Sequence, residues 1–185
     1  NVKLVADKNG LCRDSATHTV SVNLSPVISC PPNKVVCIDA TAFELTGGTP
    51  AGGSFSGDGV SAGYFNPSLA GAGDHIITYS YSANNSCTST CNFTVTVNSL
   101  PAINTPIVIQ PTCIDKTGTI TVDASGIGTL EYSIDGGQNW ITTNTFNNLI
   151  PGNYTIEVRS QNAPTCVSNY NGNPVVLSAA TQCGP

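Results

Sequence analysis

The chain has 185 residues, of which only 9% are charged, and six basic residues against eleven acidic ones leave a formal net charge of −5. Ordinary globular domains carry about 25% charged residues, and nothing here forms the Lys/Arg footprint that a nucleic-acid backbone requires. No apolar run approaches the ~20 residues of a membrane-spanning helix, whereas eight cysteines, eighteen glycines and twelve prolines describe a secreted, turn-rich β protein.

From the start, VKLVADK alternates apolar and polar residues through Val2, Leu4 and Ala6, as a half-buried strand does. Asn9-Gly10 is a turn signal, and Cys12 opens a second strand that leads into THTVSVNL. Residues 1–24 are therefore read as the closing strands of a module. Pro26 opens a complete module over residues 25–98, which ends on the alternating stretch FTVTVN. LPAINTPIVIQP opens the next, over residues 99–178, and residues 179–185 are a linker or the start of a further module. Inside 99–178, TGTITVDASG and LEYSIDGG alternate at period two, and Asp135-Gly136 predicts a two-residue hairpin turn. PGNYTIEV follows as another strand. No segment has a 3.6-residue period, so the expectation is all-β: tandem antiparallel immunoglobulin-like sandwiches stapled by disulfides.

The cysteines repeat with a domain-length period. Cys12 and Cys87 lie 75 residues apart, and Cys87 and Cys166 lie 79 apart. Leu4, Tyr79 and Val158 each sit eight residues before one of these cysteines, and Val2, Ile77 and Ile156 sit ten before. A second series, Cys37 and Cys113, is spaced by 76. Each module thus holds an early and a late cysteine, which predicts the pairs Cys37–Cys87 and Cys113–Cys166. Cys30 and Cys91 read as an added pair in the middle module. Cys12 and Cys183 are expected to be unpaired within this chain, as members of modules that extend past it.

The motifs carry a resemblance. "C…GTITV", "YSIDGG…W" and "TFNNLIPGNYTIEV", closing on Cys166, make residues 113–166 similar to the SprB-type repeat of gliding-motility adhesins from the Bacteroidetes. "LTGGTPAGGSFSGDGV" and "YFNPSLAGAGDHIITYSYS", closing on Cys87, make residues 31–97 resemble the PKD-like, immunoglobulin-like modules of the same surface proteins. The resemblance implies type IX secretion, an extracellular, cell-surface location, and a role in adhesion, gliding or a surface filament, with no catalytic activity. Its implied partners are neighbouring modules of the same chain or filament, and surface polysaccharide. Such modules also accompany secreted hydrolases, so an accessory, carbohydrate-binding region of such an enzyme is the alternative.

Residues with reactive or ligating chemistry are few. His18 and His75 fall in different modules with no nucleophile motif beside them. His75, in GDHIITY, aligns with Tyr154, in GNYTIEV, at the corner where sandwich tyrosines bond back to the backbone. Cys30, Cys37, Cys87 and Cys91 contain four thiols, but an oxidising setting favours disulfides over zinc. Asp58, Asp115 and Asp135 sit at turns; a calcium loop needs closely spaced oxygens, and no two acidic residues lie within three positions of each other. No cofactor is expected, calcium held between separated loops being the one exception the residues allow. The Gly-rich GSFSGDG has no lysine and no helix after it, so it is no phosphate loop. Trp140, the single tryptophan, is read first as a core residue and alternatively as a sugar-stacking platform. Asn23, Asn84, Asn92 and Asn153 head formal N-glycan sequons, and Asp14–Ala16 resembles a short O-glycosylation motif.

Overall fold

The computed structural model describes residues 1–8, 12–19, 23–83 and 87–180. The fold is all-β; one short helix, Pro67–Ala70, occurs among the described residues, and Asn66 caps it by accepting from the amides of Ser68 and Leu69. No helix here is long and apolar enough to cross a membrane.

The first half is organised by one long antiparallel pair, Gly73–Ser82 against Thr88–Asn98. Ser54–Ser56 adds to one side of it, and Lys34–Cys37 adds to the other in parallel. Period-two patterning decides which side chains turn inward: Ile77, Tyr79, Phe93, Val95 and Val97 are buried, while Thr78, Thr94 and Thr96 face outward. A second, three-stranded sheet of Phe43–Glu44, Tyr64–Phe65 and Val60–Ser61 supplies Phe65, and Leu45 closes the same core. The ring of Tyr79 lies over Gly48 and Gly53, where any β-carbon would collide with it. Its hydroxyl donates to the Pro50 carbonyl and accepts from the Gly53 amide.

The second half has its own core of Ile120, Val122, Ile156, Val158, Val175 and Leu177. Gly118–Thr121 lies between Ile107–Ile109 and Thr145–Leu149, and Glu157–Ser160 lies between Leu130–Ser133 and Ala163–Asn169. Two further pairs, Ala102–Ile103 with Ala124–Ser125 and Gly152–Tyr154 with Val175–Leu177, complete it. Gln110 ties the last strand to Ile107–Ile109 by donating to the Val176 carbonyl and accepting from the Ser178 amide.

Equivalent positions in the two halves make equivalent contacts. Ile77 and Tyr79 are buried, as are Ile156 and Val158, two positions apart in each case. His75 Nε2 donates to the Gly71 carbonyl at 3.0 Å, and the Tyr154 hydroxyl donates to the Ile150 carbonyl at 2.7 Å, each reaching four residues back. Ser89 Oγ donates to Pro26 O and Ser168 Oγ to Pro101 O, so each half is clasped at its leading proline. The amino-terminal hairpin, Val2–Lys8 with Cys12–His18, forms a separate two-stranded sheet, and its aligned Val2 and Leu4 are exposed.

The disulfides overturn both expected module-closing pairs, Cys37–Cys87 and Cys113–Cys166. Cys30 joins Cys91, but Cys37 joins Cys166 across 129 residues, bridging the two halves. The reason is register. Lys34–Cys37 runs parallel to Thr88–Asn98 with Cys37 opposite Asn98, and Cys87 precedes the other end of that strand. Eleven residues of strand separate the two positions by roughly 35 Å, whereas a disulfide needs α-carbons within about 7 Å. Cys113 is also disulfide-bonded, to a cysteine other than Cys166. The side chain of Cys12 and all of Cys183 lie outside the described residues.

Adding a methyl under the Tyr79 ring tests this packing. Gly48→Ala should lower unfolding stability by about 1–3 kcal/mol through overpacking, read as a reduced urea midpoint; an unchanged midpoint would mean the ring is not fixed there.

Candidate functional site

The chemistry-bearing side chains gather most densely around SIDGGQNW, residues 133–140. The expected two-residue turn is not what forms. Tyr132 and Ile141 exchange backbone hydrogen bonds at 2.8 and 3.0 Å, so the intervening loop runs from Ser133 to Trp140. The longer loop wins because two side chains satisfy its backbone. Asp135 Oδ1 accepts from the amides of Gln138 and Asn139 and from Ser133 Oγ, and Oδ2 accepts from Asn139 Nδ2. Ser133 Oγ, fully buried, accepts in turn from the Gly137 amide. Gly136 and Gly137 take φ of 69° and 81°, where a β-carbon is disfavoured. At Gly137 a β-carbon would also strike the Glu157 carboxylate. Burial pushes the Asp135 carboxyl up, but the Asn139, Ser133 and Gln138 donors outweigh it and hold its pKa at about 2. Its oxygens are committed to the loop.

Trp140 is half-buried and outside the second core. Its Nε1 donates to the Gly137 carbonyl at 2.9 Å, and the Arg159 guanidinium carbon sits 4.1 Å from the ring centroid. Arg159 Nε donates to Glu131 Oε2 at 2.8 Å, the one ion pair among the described residues, and Gln161 donates to Glu131 Oε1. Those two donors, Arg159 first, hold the Glu131 carboxyl below its ordinary range. Cross-strand pairing of Glu131 with Arg159 places them side by side. The indole thus gives one face to a cation and its N–H to the backbone, an arrangement midway between the core residue and the open platform that the sequence suggests.

The other candidates are spread over separate turns. His75 is engaged at its corner, and His18 is exposed on the amino-terminal hairpin. Asp115 bonds locally to Thr112 through its own amide and carbonyl. Cys30 and Cys91 are bonded to each other and Cys37 to Cys166, which removes three thiols of the four-thiol zinc set. Among the described residues no group of three or more His, Cys, Asp or Glu side chains is placed to hold a metal ion. Asn23, Asn92 and Asn153 are exposed, while Asn84 lies outside the described residues. Sequence reasoning does not find the Arg159–Trp140 stack, because the pairing register that joins them depends on a loop length it misjudges.

No family model matches the chain, and no curated protein is significantly similar to it.

Two substitutions test this region. Because the folded Asp135 carboxyl titrates below the unfolded value of about 3.9, its stabilisation is present above pH ~4 and is lost as pH falls toward about 2. Asp135→Ala should cost about 1–2 kcal/mol at neutral pH and flatten the acid limb of the stability profile, measured by denaturant melts from neutral to acid pH. Arg159→Ala should uncover the indole face, shifting the single-tryptophan emission to the red and raising its acrylamide quenching; unchanged emission would show that the guanidinium does not shield the ring.

Proposed function

We propose that this chain is a non-catalytic, force-carrying and adhesive segment of a secreted cell-surface adhesin or extracellular filament, built from immunoglobulin-like modules. The observation that carries the reading is the Cys37–Cys166 bridge between the two halves. Structural disulfides form in oxidising environments, and this one welds consecutive units rather than closing either. The similarity of residues 113–166 to SprB-type repeats and of residues 31–97 to PKD-like modules points the same way.

The strand geometry suits tension. Lys34–Cys37 leads into the first half and Thr88–Asn98 leads out, and the two lie parallel. Pulling the chain from its ends drives parallel neighbours in opposite directions, so every rung shears together instead of opening one by one. Cys30–Cys91 fastens the same two segments covalently. If the folds yield, the stretched path crosses directly from Cys37 to Cys166. The bypassed 129 residues withhold roughly 450 Å of contour. The outward Thr78, Thr88, Thr90, Asn92 and Thr94 provide a neutral, hydrated face suited to an extracellular filament.

Single-molecule pulling of the full chain in oxidising and reducing buffer tests the reading. Reduction should add roughly 450 Å of extensible contour, and the oxidised chain should withhold it. Equal extension in both buffers, or unfolding at the few piconewtons typical of unzipping, would remove the mechanical argument.

A further inference from the structure

Beside the inter-half disulfide lies an open cleft of about 560 Å³, lined by the second half with Asp39 alone from the first, in the size range of small-ligand sites. Its polar lining comes from Asp39, Asn104, Thr105, Asn169, Tyr170 and Asn171. The bridge itself positions Asp39 against the second half's residues. Asp39 follows Cys37 by two residues, and Asn169–Asn171 follow Cys166 by three to five. Pro101, the second half's leading proline, lies on the floor, and Ser168 Oγ donates to its carbonyl at 2.5 Å.

Several of the lining groups are set before any ligand arrives. Asn104 donates from Nδ2 to Asp123 Oδ2 at 2.9 Å and from its amide to Asp123 O, which fixes its carboxamide plane. Tyr170 packs against the second core, its amide donates to Ile156 O, and its ring lies over Gly172, where a β-carbon would sit 2.6 Å from it. Asn173 braces this turn by accepting from Ile156 N and donating to Ile156 O.

The chemistry selects a ligand class. The cleft has one charged side chain, Asp39, and no cation, so nucleic acids, phosphates and acidic glycans are disfavoured. Carboxamides both donate and accept, as do hydroxyls, and a carboxylate accepts from two neighbouring hydroxyls at once. A fixed tyrosine ring offers an apolar face to C–H groups. We infer that the junction cleft binds a neutral saccharide, with Asp39, Asn104 and Asn171 reading its hydroxyls and Tyr170 flanking a ring. The inference does not rest on the mechanical reading: the cleft binds or fails to bind whether or not the chain carries force. It does require the bridge, because Asp39, the first half's one contribution to the lining, is held against the second half by it.

The test is ¹H–¹⁵N correlation NMR of the full oxidised chain, titrated with cello-, xylo-, manno- and chito-oligosaccharides, with an oligogalacturonate as acidic control. The expected result is saturable shifts at the amides of Asp39, Asn104 and Asn169–Asn171 with at least one neutral sugar and none with the acidic one. Asp39→Ala and Asn171→Ala, both at exposed positions, should each weaken that binding by about tenfold, and Trp140→Ala should leave it unchanged. Cys37→Ser combined with Cys166→Ala should weaken it also, with both cores still giving dispersed spectra. No shifts with any neutral sugar, shifts centred on Trp140, or wild-type binding by both cleft variants would overturn the assignment.

Discussion

Two cores that share no buried residue have little reason to hold a fixed relation, because a short peptide linker leaves both bending and rotation available. Here Cys37 and Cys166 remove that freedom by a covalent bond placed at the seam. The bond sits where the first half ends its parallel strand and the second half runs its Ala163–Asn169 strand. The cleft between Asp39 and Tyr170, and the way tension passes from one half to the next, are both consequences of that one constraint.

Each half is otherwise self-sufficient in a modest way. Its core is built around six buried apolar residues. Polar groups are accordingly placed with care, and among the described residues no buried side-chain nitrogen or oxygen lacks a partner. The repeated devices are local and economical. A corner residue reaches four positions back, a serine clasps the leading proline, and a carboxylate or carboxamide stands in for missing strand pairing, as Asp135 and Gln110 do. Histidine replaces tyrosine at one corner because only a donor at the right reach is needed.

Much of this is legible in the sequence itself. FTVTVN announces its buried face by simple alternation, and the alignment of Ile77 and Tyr79 with Ile156 and Val158 follows from counting back from a cysteine. The His75–Tyr154 equivalence was visible for the same reason. What the sequence could not convey is relative placement. A 75- to 79-residue period groups cysteines by module, but pairing depends on which end of a strand each one occupies, and the parallel register of Lys34–Cys37 puts Cys37 far from Cys87. The loop after Ser133 was misjudged similarly. Asp-Gly is a strong hairpin signal in isolation, yet an aspartate with three amide and hydroxyl donors within four residues builds its own longer turn. The junction cleft left no trace, since its walls come from segments about 130 residues apart whose proximity no local pattern encodes.

The Arg159–Glu131 pair, the one ion pair among the described residues, has a consequence of its own. Dissolved ions weaken a protein mainly by screening attractions between charged side chains, over a Debye length of about 8 Å at physiological ionic strength. A chain with 9% charged residues and its cohesion invested in apolar contacts, amide and hydroxyl pairing and sulfur bridges offers that screening almost nothing to act on. Among the described residues, screening therefore has a single ion pair to act on, and through that route the fold should gain or lose little stability between dilute and concentrated salt.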